Sequence, residues 1–92
     1  MIMSVDYKEE AAREAFALIA PGNTIGLGAG STIAYLVNFL KDDQQLLTTL
    51  TVVTSSFNTR LLLEEYGFNI KEPRAVSQLD LYFDGCDQFD QG

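Results

Sequence analysis

Apolar residues recur at Ala12, Ala15, Phe16 and Ile19, the i, i+3, i+4, i+7 spacing that gives a helix one buried face. Asp6 and Glu9 stand at the spacing of an N-cap and its N3 partner, so this helix is expected to start near Asp6. Pro21-Gly22 stops it. Residues 24–28 then read as a short strand, followed by the tight run Gly28-Ala29-Gly30. Ser31 or Thr32 can cap a second helix, whose buried face is Ile33, Leu36, Val37 and Leu40. Residues 41–45 form a polar break, and the β-branched run 51–54 is the next strand. Ser55-Ser56 leads into a third helix with Thr59, Leu62, Leu63 and Tyr66 on one side, and Gly67 stands where a C′ glycine belongs. A weaker strand covers 68–71. After a loop at Pro73, residues 79–83 form a fourth strand that runs into Asp84-Gly85-Cys86-Asp87.

Strands that alternate with helices predict an α/β fold, a Rossmann-like parallel sheet with flanking helices and right-handed crossovers. Ligands of such sheets sit beyond the carboxyl ends of the strands. Both 28–32 and 84–87 fall at ends of that kind. The last predicted strand is followed within a few residues by Gly92, with no helix to cover it, so the sequence is expected to be an incomplete domain.

Composition narrows the classes of function. Thirteen acidic residues against six basic ones give a net charge of −7. With no cluster of Lys or Arg to offset it, that charge speaks against nucleic acid and anionic lipid as partners. Cys86 is the single cysteine, so an internal disulfide is excluded and a reducing, cytoplasmic setting is expected. No apolar run approaches the roughly 18 residues of a membrane span, and residues 1–6 lack the basic and apolar regions of a signal peptide. Histidine is absent. Acid–base chemistry must therefore fall to carboxylates, Lys or Tyr.

The chemistry is concentrated in two loops. In Gly26-Leu27-Gly28-Ala29-Gly30-Ser31-Thr32, glycines let the backbone approach a ligand, and a helix N-terminus with two hydroxyls follows. These parts would cradle a phosphate. A dinucleotide fingerprint would need glycine where Ser31 stands, and an acid after the second strand where Thr54-Ser55-Ser56 stands. A P-loop would need a lysine before the Ser/Thr. Neither the NAD nor the ATP pattern is met. In the second loop, Asp84 and Asp87 could grip sugar hydroxyls or assist proton movement. Equally, one could be a turn residue and the other a helix cap.

Taken together, Pro21-Gly22, Ile25 to Thr32, Thr54-Ser55-Ser56 and Tyr82-Phe83-Asp84-Gly85-Cys86-Asp87 resemble the ribose-5-phosphate isomerase A-type family in order and spacing. The likeness covers essentially the whole chain, and about the first two-fifths of a typical member. It implies an α/β enzyme that interconverts ribose 5-phosphate and ribulose 5-phosphate through an enediolate, without a metal or organic cofactor. By matched position Ala29, Gly30, Ser31 and Thr32 would border the substrate, with Ser31 and Thr32 on its phosphate. Asp84, Gly85, Cys86 and Asp87 would line the sugar end, with Asp84 and Asp87 in supporting catalytic roles. Lys8 matches a family lysine near the phosphate.

The family's glutamate base and a Lys-Gly-Gly-Gly loop lie downstream of Gly92. Ala29 stands for the usual threonine, Cys86 for alanine and Gln88 for glutamate. Those departures leave open a sensor reading, because ligand-sensing domains of some bacterial transcription regulators share this general fold. An exposed sheet edge would also favour a homo-oligomer.

Overall fold

A computed structural model describes residues 4–84, with side chains from Tyr7 onward. The elements are α1 (Ser4–Leu18), β1 (Thr24–Leu27), α2 (Ser31–Lys41), α3 (Gln44–Thr49), β2 (Thr51–Val53), α4 (Phe57–Tyr66), β3 (Asn69–Lys71), a 3₁₀ turn (Pro73–Ala75) and β4 (Leu81–Phe83). The four strands form one parallel sheet in the order β3-β2-β1-β4. Among the described residues no helix is long and apolar enough to cross a membrane.

The chain steps from β1 to β2 to β3, then returns past both to place β4 on the far side of β1. Right-handed crossovers put connections that run in opposite directions on opposite faces of a sheet. The helical connections α2–α3 and α4 accordingly share one face, and residues 72–80 cross the other. The direction reverses between β1 and β4. That pair is the topological switch point, where the loops leaving the strand ends part and open a crevice.

The core is the helical face of the sheet. Ile25, Leu27 and Val52 meet Ile33, Leu36, Val37 and Leu40 of α2, the four positions its periodicity predicts, and Leu63 of α4. Helix α1 packs on α2, with the Phe16 and Phe39 rings 5.9 Å apart and the Arg13 guanidinium over Phe39. Gly67 caps α4 in the left-handed conformation, as its position suggests.

Four details differ from expectation. Helix α1 begins at Ser4, so Asp6 is a helical residue and not the cap; no proline or glycine in 4–6 halts the helix there. Gly30, not Ser31 or Thr32, occupies the N-cap of α2, because its φ of 114° turns the chain before Ser31 can. The polar break conceals α3. Asp43 caps that helix by accepting from the Leu46 N–H, and Leu46 and Leu50, one turn apart, bury themselves in the core. Strand β4 starts at Leu81, later than residue 79, because Asp80 is used otherwise. Its carboxylate accepts from the Thr24 N–H and its own N–H donates to the Thr24 carbonyl, both at 2.7 Å.

Among the described residues the other face is thinly covered. A cavity of about 150 Å³ there is lined by Gly26, Val53, Pro73, Leu79 and Tyr82 among others, and the Tyr82 side chain remains largely exposed. Gly26 makes that packing possible. A Cβ on it would lie 2.7 Å from Tyr82 Cδ1 and 2.8 Å from Leu79 Cδ1, closer than carbon atoms approach. Gly26→Ala should therefore cost about 1–3 kcal/mol, the usual range for overpacking, and lower the melting temperature by roughly 4–8 °C per kcal/mol. Adding Tyr82→Ala should recover part of the loss in a thermal melt. No recovery would place the strain elsewhere.

Candidate functional site

At the switch point β1 ends in Leu27 and the ladder to β4 continues one residue further, with the Gly28 N–H donating to the Phe83 carbonyl at 2.8 Å. This bond brings the start of the glycine loop close to Asp84, which follows Phe83 directly and lies exposed at the strand end. The Gly28 carbonyl turns the other way and accepts from Thr59 Oγ1 of α4, also at 2.8 Å. Ala29 and Gly30 follow, both exposed. Gly30 has φ 114° and ψ 172°, a conformation essentially restricted to glycine. Its carbonyl accepts from the Ala34 N–H and starts the helix.

Ser31 is the first residue of α2, exposed, and Thr32 is half-buried beside it. Lys8 reaches this point from α1, where its Nζ donates to Ser31 Oγ at 3.3 Å. The first turn of α2 contains no acidic residue, and its last turn contains Lys41. One ammonium and one hydroxyl thus meet at the N-terminal, positive end of an 11-residue helix, with Thr32 next in its first turn. Such a set of donors has the chemistry that suits an oxyanion. Lys8, Ala29, Gly30, Ser31, Thr32 and Asp84 gather at the switch-point end of the sheet. Gly85, Cys86 and Asp87 lie outside the described residues, as does Gln88.

A second hollow, of about 350 Å³, lies at the carboxyl end of β2 among Thr54, Ser55, Ser56, Phe57, Arg60, Glu72 and Pro73. Its cation is already matched. Arg60 donates to Glu72 at 3.1 Å and to Glu64 at 3.2 Å, and these bonds, Glu72 first, push its pKa above the usual guanidinium value. Two carboxylates around one guanidinium leave no net positive charge for an anion. Among the described residues no group of three or more His, Cys, Asp or Glu side chains is placed to hold a metal ion.

Thr59 lies on the buried face that the sequence predicts for α4, at 5% exposure, and its polar role there is not part of that pattern. A hydroxyl within an otherwise apolar stripe was the available signal, because a buried hydroxyl needs a partner.

Comparison with known proteins bears on the family and the fold. Residues 51–92 match the family described as ribose 5-phosphate isomerase A (phosphoriboisomerase A), and residues 3–71 match the DeoR C terminal sensor domain. The first match takes in β4 and the acidic loop, whereas the second stops at β3. Among curated proteins, the ribose-5-phosphate isomerase A of Lactobacillus delbrueckii subsp. bulgaricus is 38% identical over 94% of this chain and 38% of its own length. That of Lacticaseibacillus paracasei is 41% identical over 91% of this chain and 37% of its own length. Among solved structures, ribose 5-phosphate isomerase A of Methanocaldococcus jannaschii superposes with a TM-score of 0.75 at 30% identity, over 86% of this chain and 35% of the other. A D-ribose-5-phosphate isomerase solved in complex with phospho-erythronic acid gives a TM-score of 0.77 at 31% identity, with the same coverage. This chain thus spans under two-fifths of the length of these relatives. By the family match, by 38% and 41% identity over more than nine-tenths of this chain, and by the shared fold, it belongs to the ribose 5-phosphate isomerase A family.

Proposed function

We propose that this chain is the N-terminal part of a sugar-phosphate isomerase α/β domain and carries the substrate-binding half of a ribose-5-phosphate isomerase site. The observation that carries the reading is the meeting of Lys8 Nζ with Ser31 Oγ at the N-terminus of α2, behind the turn at Gly30. A phosphate dianion there would accept from backbone N–H groups, from the Ser31 and Thr32 hydroxyls and from Lys8. The sugar would extend past Ala29 along the crevice toward Asp84 and the acidic loop. Asp84 and Asp87 would accept hydrogen bonds from its hydroxyls, and neither would remove the carbon-bound proton. That proton goes to a carboxylate base contributed by the remainder of the enzyme, since enediolate chemistry needs both a base and oxyanion stabilisation. The reaction is the aldose–ketose interconversion of ribose 5-phosphate and ribulose 5-phosphate of the pentose phosphate pathway, in a cytoplasmic protein that needs no cofactor.

The match of residues 3–71 to the DeoR C terminal sensor domain favours one second reading, a non-catalytic sugar-phosphate sensor. That match contains the glycine loop but not Asp84. A single NMR titration distinguishes the two. Inorganic phosphate at millimolar concentration should shift the amides of residues 28–33. Ribose 5-phosphate should shift them too, and on the isomerase reading it should also move the amide of Asp84. Shifts confined to 28–33 with both ligands would favour the sensor. Unmoved amides in that segment would remove both readings.

A further inference from the structure

We propose that Thr59 is the positioning residue of the glycine loop. Its buried hydroxyl holds the loop in the shape that receives an anion, although Thr59 itself stands on α4, with α2, α3 and β2 between them in the chain. The inference rests on the phosphate reading above for its ligand, and on the hydrogen bonds alone for its mechanism.

Gly28 is the hinge between the sheet and the loop. Its N–H is committed to the Phe83 carbonyl, and its carbonyl to Thr59 Oγ1, each at 2.8 Å. The first bond fixes the end of β1. The second fixes the plane of the peptide between Gly28 and Ala29, two residues before the turn at Gly30. Rotation of that plane would carry through Gly30 to the N–H groups of the first turn of α2, which are the groups an anion would meet.

The donor is itself held at its own end. Thr54 Oγ1 accepts from the Ser56 N–H at 3.0 Å, and Ser56 Oγ accepts from the Thr59 N–H at 3.2 Å as the N-cap of α4. A ladder of three hydroxyls therefore runs from the end of β2, through the start of α4, to the glycine loop. The Thr54-Ser55-Ser56 segment, which the sequence singles out without a task, supplies two of its three rungs. Glycine makes the loop pliant, and the Thr59 bond removes that pliancy at one defined point.

Thr59→Val keeps the shape of the side chain and removes the donor, leaving the Gly28 carbonyl without its partner. In the 92-residue chain, the heteronuclear NOE values of Ala29 and Gly30 should fall in this variant. Affinity for inorganic phosphate should weaken by roughly 3- to 10-fold, the range expected for one hydrogen bond. Thr59→Ser, which restores the hydroxyl, should recover both values. An unchanged loop and unchanged affinity in Thr59→Val would overturn the proposal. So would a loss of affinity that Thr59→Ser fails to recover, because that pattern belongs to packing.

A loop that loosens in Thr59→Val, in a chain whose wild-type form ignores phosphate, would support the clamp and overturn the ligand reading alone. Should Thr59→Val fail to fold, the wild-type chain still decides. The Thr59 hydroxyl proton should exchange slowly enough to be seen near 0 °C, with an NOE into residues 28–30. Its absence under those conditions would overturn the clamp.

Discussion

Purified as 92 residues and supplied with ribose 5-phosphate, the chain should bind the sugar phosphate and show no turnover in a coupled assay, whereas the Lactobacillus delbrueckii relative assayed beside it should turn over. The reasoning is chemical. Moving a proton between adjacent carbons requires a base within hydrogen-bond reach of that proton, and a placed general base typically contributes about 10²–10⁴-fold. The chain contains no histidine. At the switch point the described carboxylate is Asp84, exposed at the end of β4, and the cation is Lys8, bonded to Ser31 at the phosphate end. Both are assigned to binding. On the division of the site proposed above, an oxyanion cradle without a base would position the substrate and leave the carbon–hydrogen bond intact. Robust turnover by the 92 residues would make Asp84 or Asp87 the base. Loss of that turnover in Asp84→Asn or Asp87→Asn would then say which, and the division of the site proposed above would be wrong.

The fold was legible wherever a short-range pattern had one physical solution. Ile33, Leu36, Val37 and Leu40 could face only one way on a helix, and they do. The β-branched run at 51–53 forms a strand with two buried valines. Position 67 needed the left-handed conformation that glycine supplies. Legibility failed where a polar side chain was spent on local backbone. Asp43 reads as part of a solvated break until its carboxylate is seen on the Leu46 N–H, and Asp80 reads as strand until it is seen closing on Thr24. The candidate site divided along the same line. Its loops were visible as composition, but the switch point depends on strand order, which no local pattern carries. The Thr59–Gly28 bond joins residues 31 apart and is likewise a product of the tertiary fold.

Gly30→Ala should have the largest effect of any single substitution in the loop. Gly30 sits at φ 114° and ψ 172°, where an L side chain costs about 1–3 kcal/mol. The variant has two courses. It can hold the loop and lose that stability, which for a chain of this size lowers the melting temperature by roughly 4–8 °C per kcal/mol. Or it can turn residue 30 into an ordinary conformation, which displaces the carbonyl that starts α2 and redirects the N–H groups behind it. The second course loses the cradle, so phosphate affinity should fall by about tenfold or more, tenfold being 1.4 kcal/mol. Gly22→Ala supplies the control. Gly22 is also at positive φ, 86°, with open space around its missing Cβ, but it precedes β1 at the opposite end of the strand. Its substitution should cost comparable stability and leave phosphate affinity unchanged. Titrating both variants at a temperature where each is folded separates the two effects. Equal losses of affinity would mean that the anion responds to global stability, and wild-type affinity in Gly30→Ala would mean that it binds elsewhere. A loss confined to Gly30→Ala would tie the anion to one backbone conformation, which glycine alone among the residues of the loop can supply.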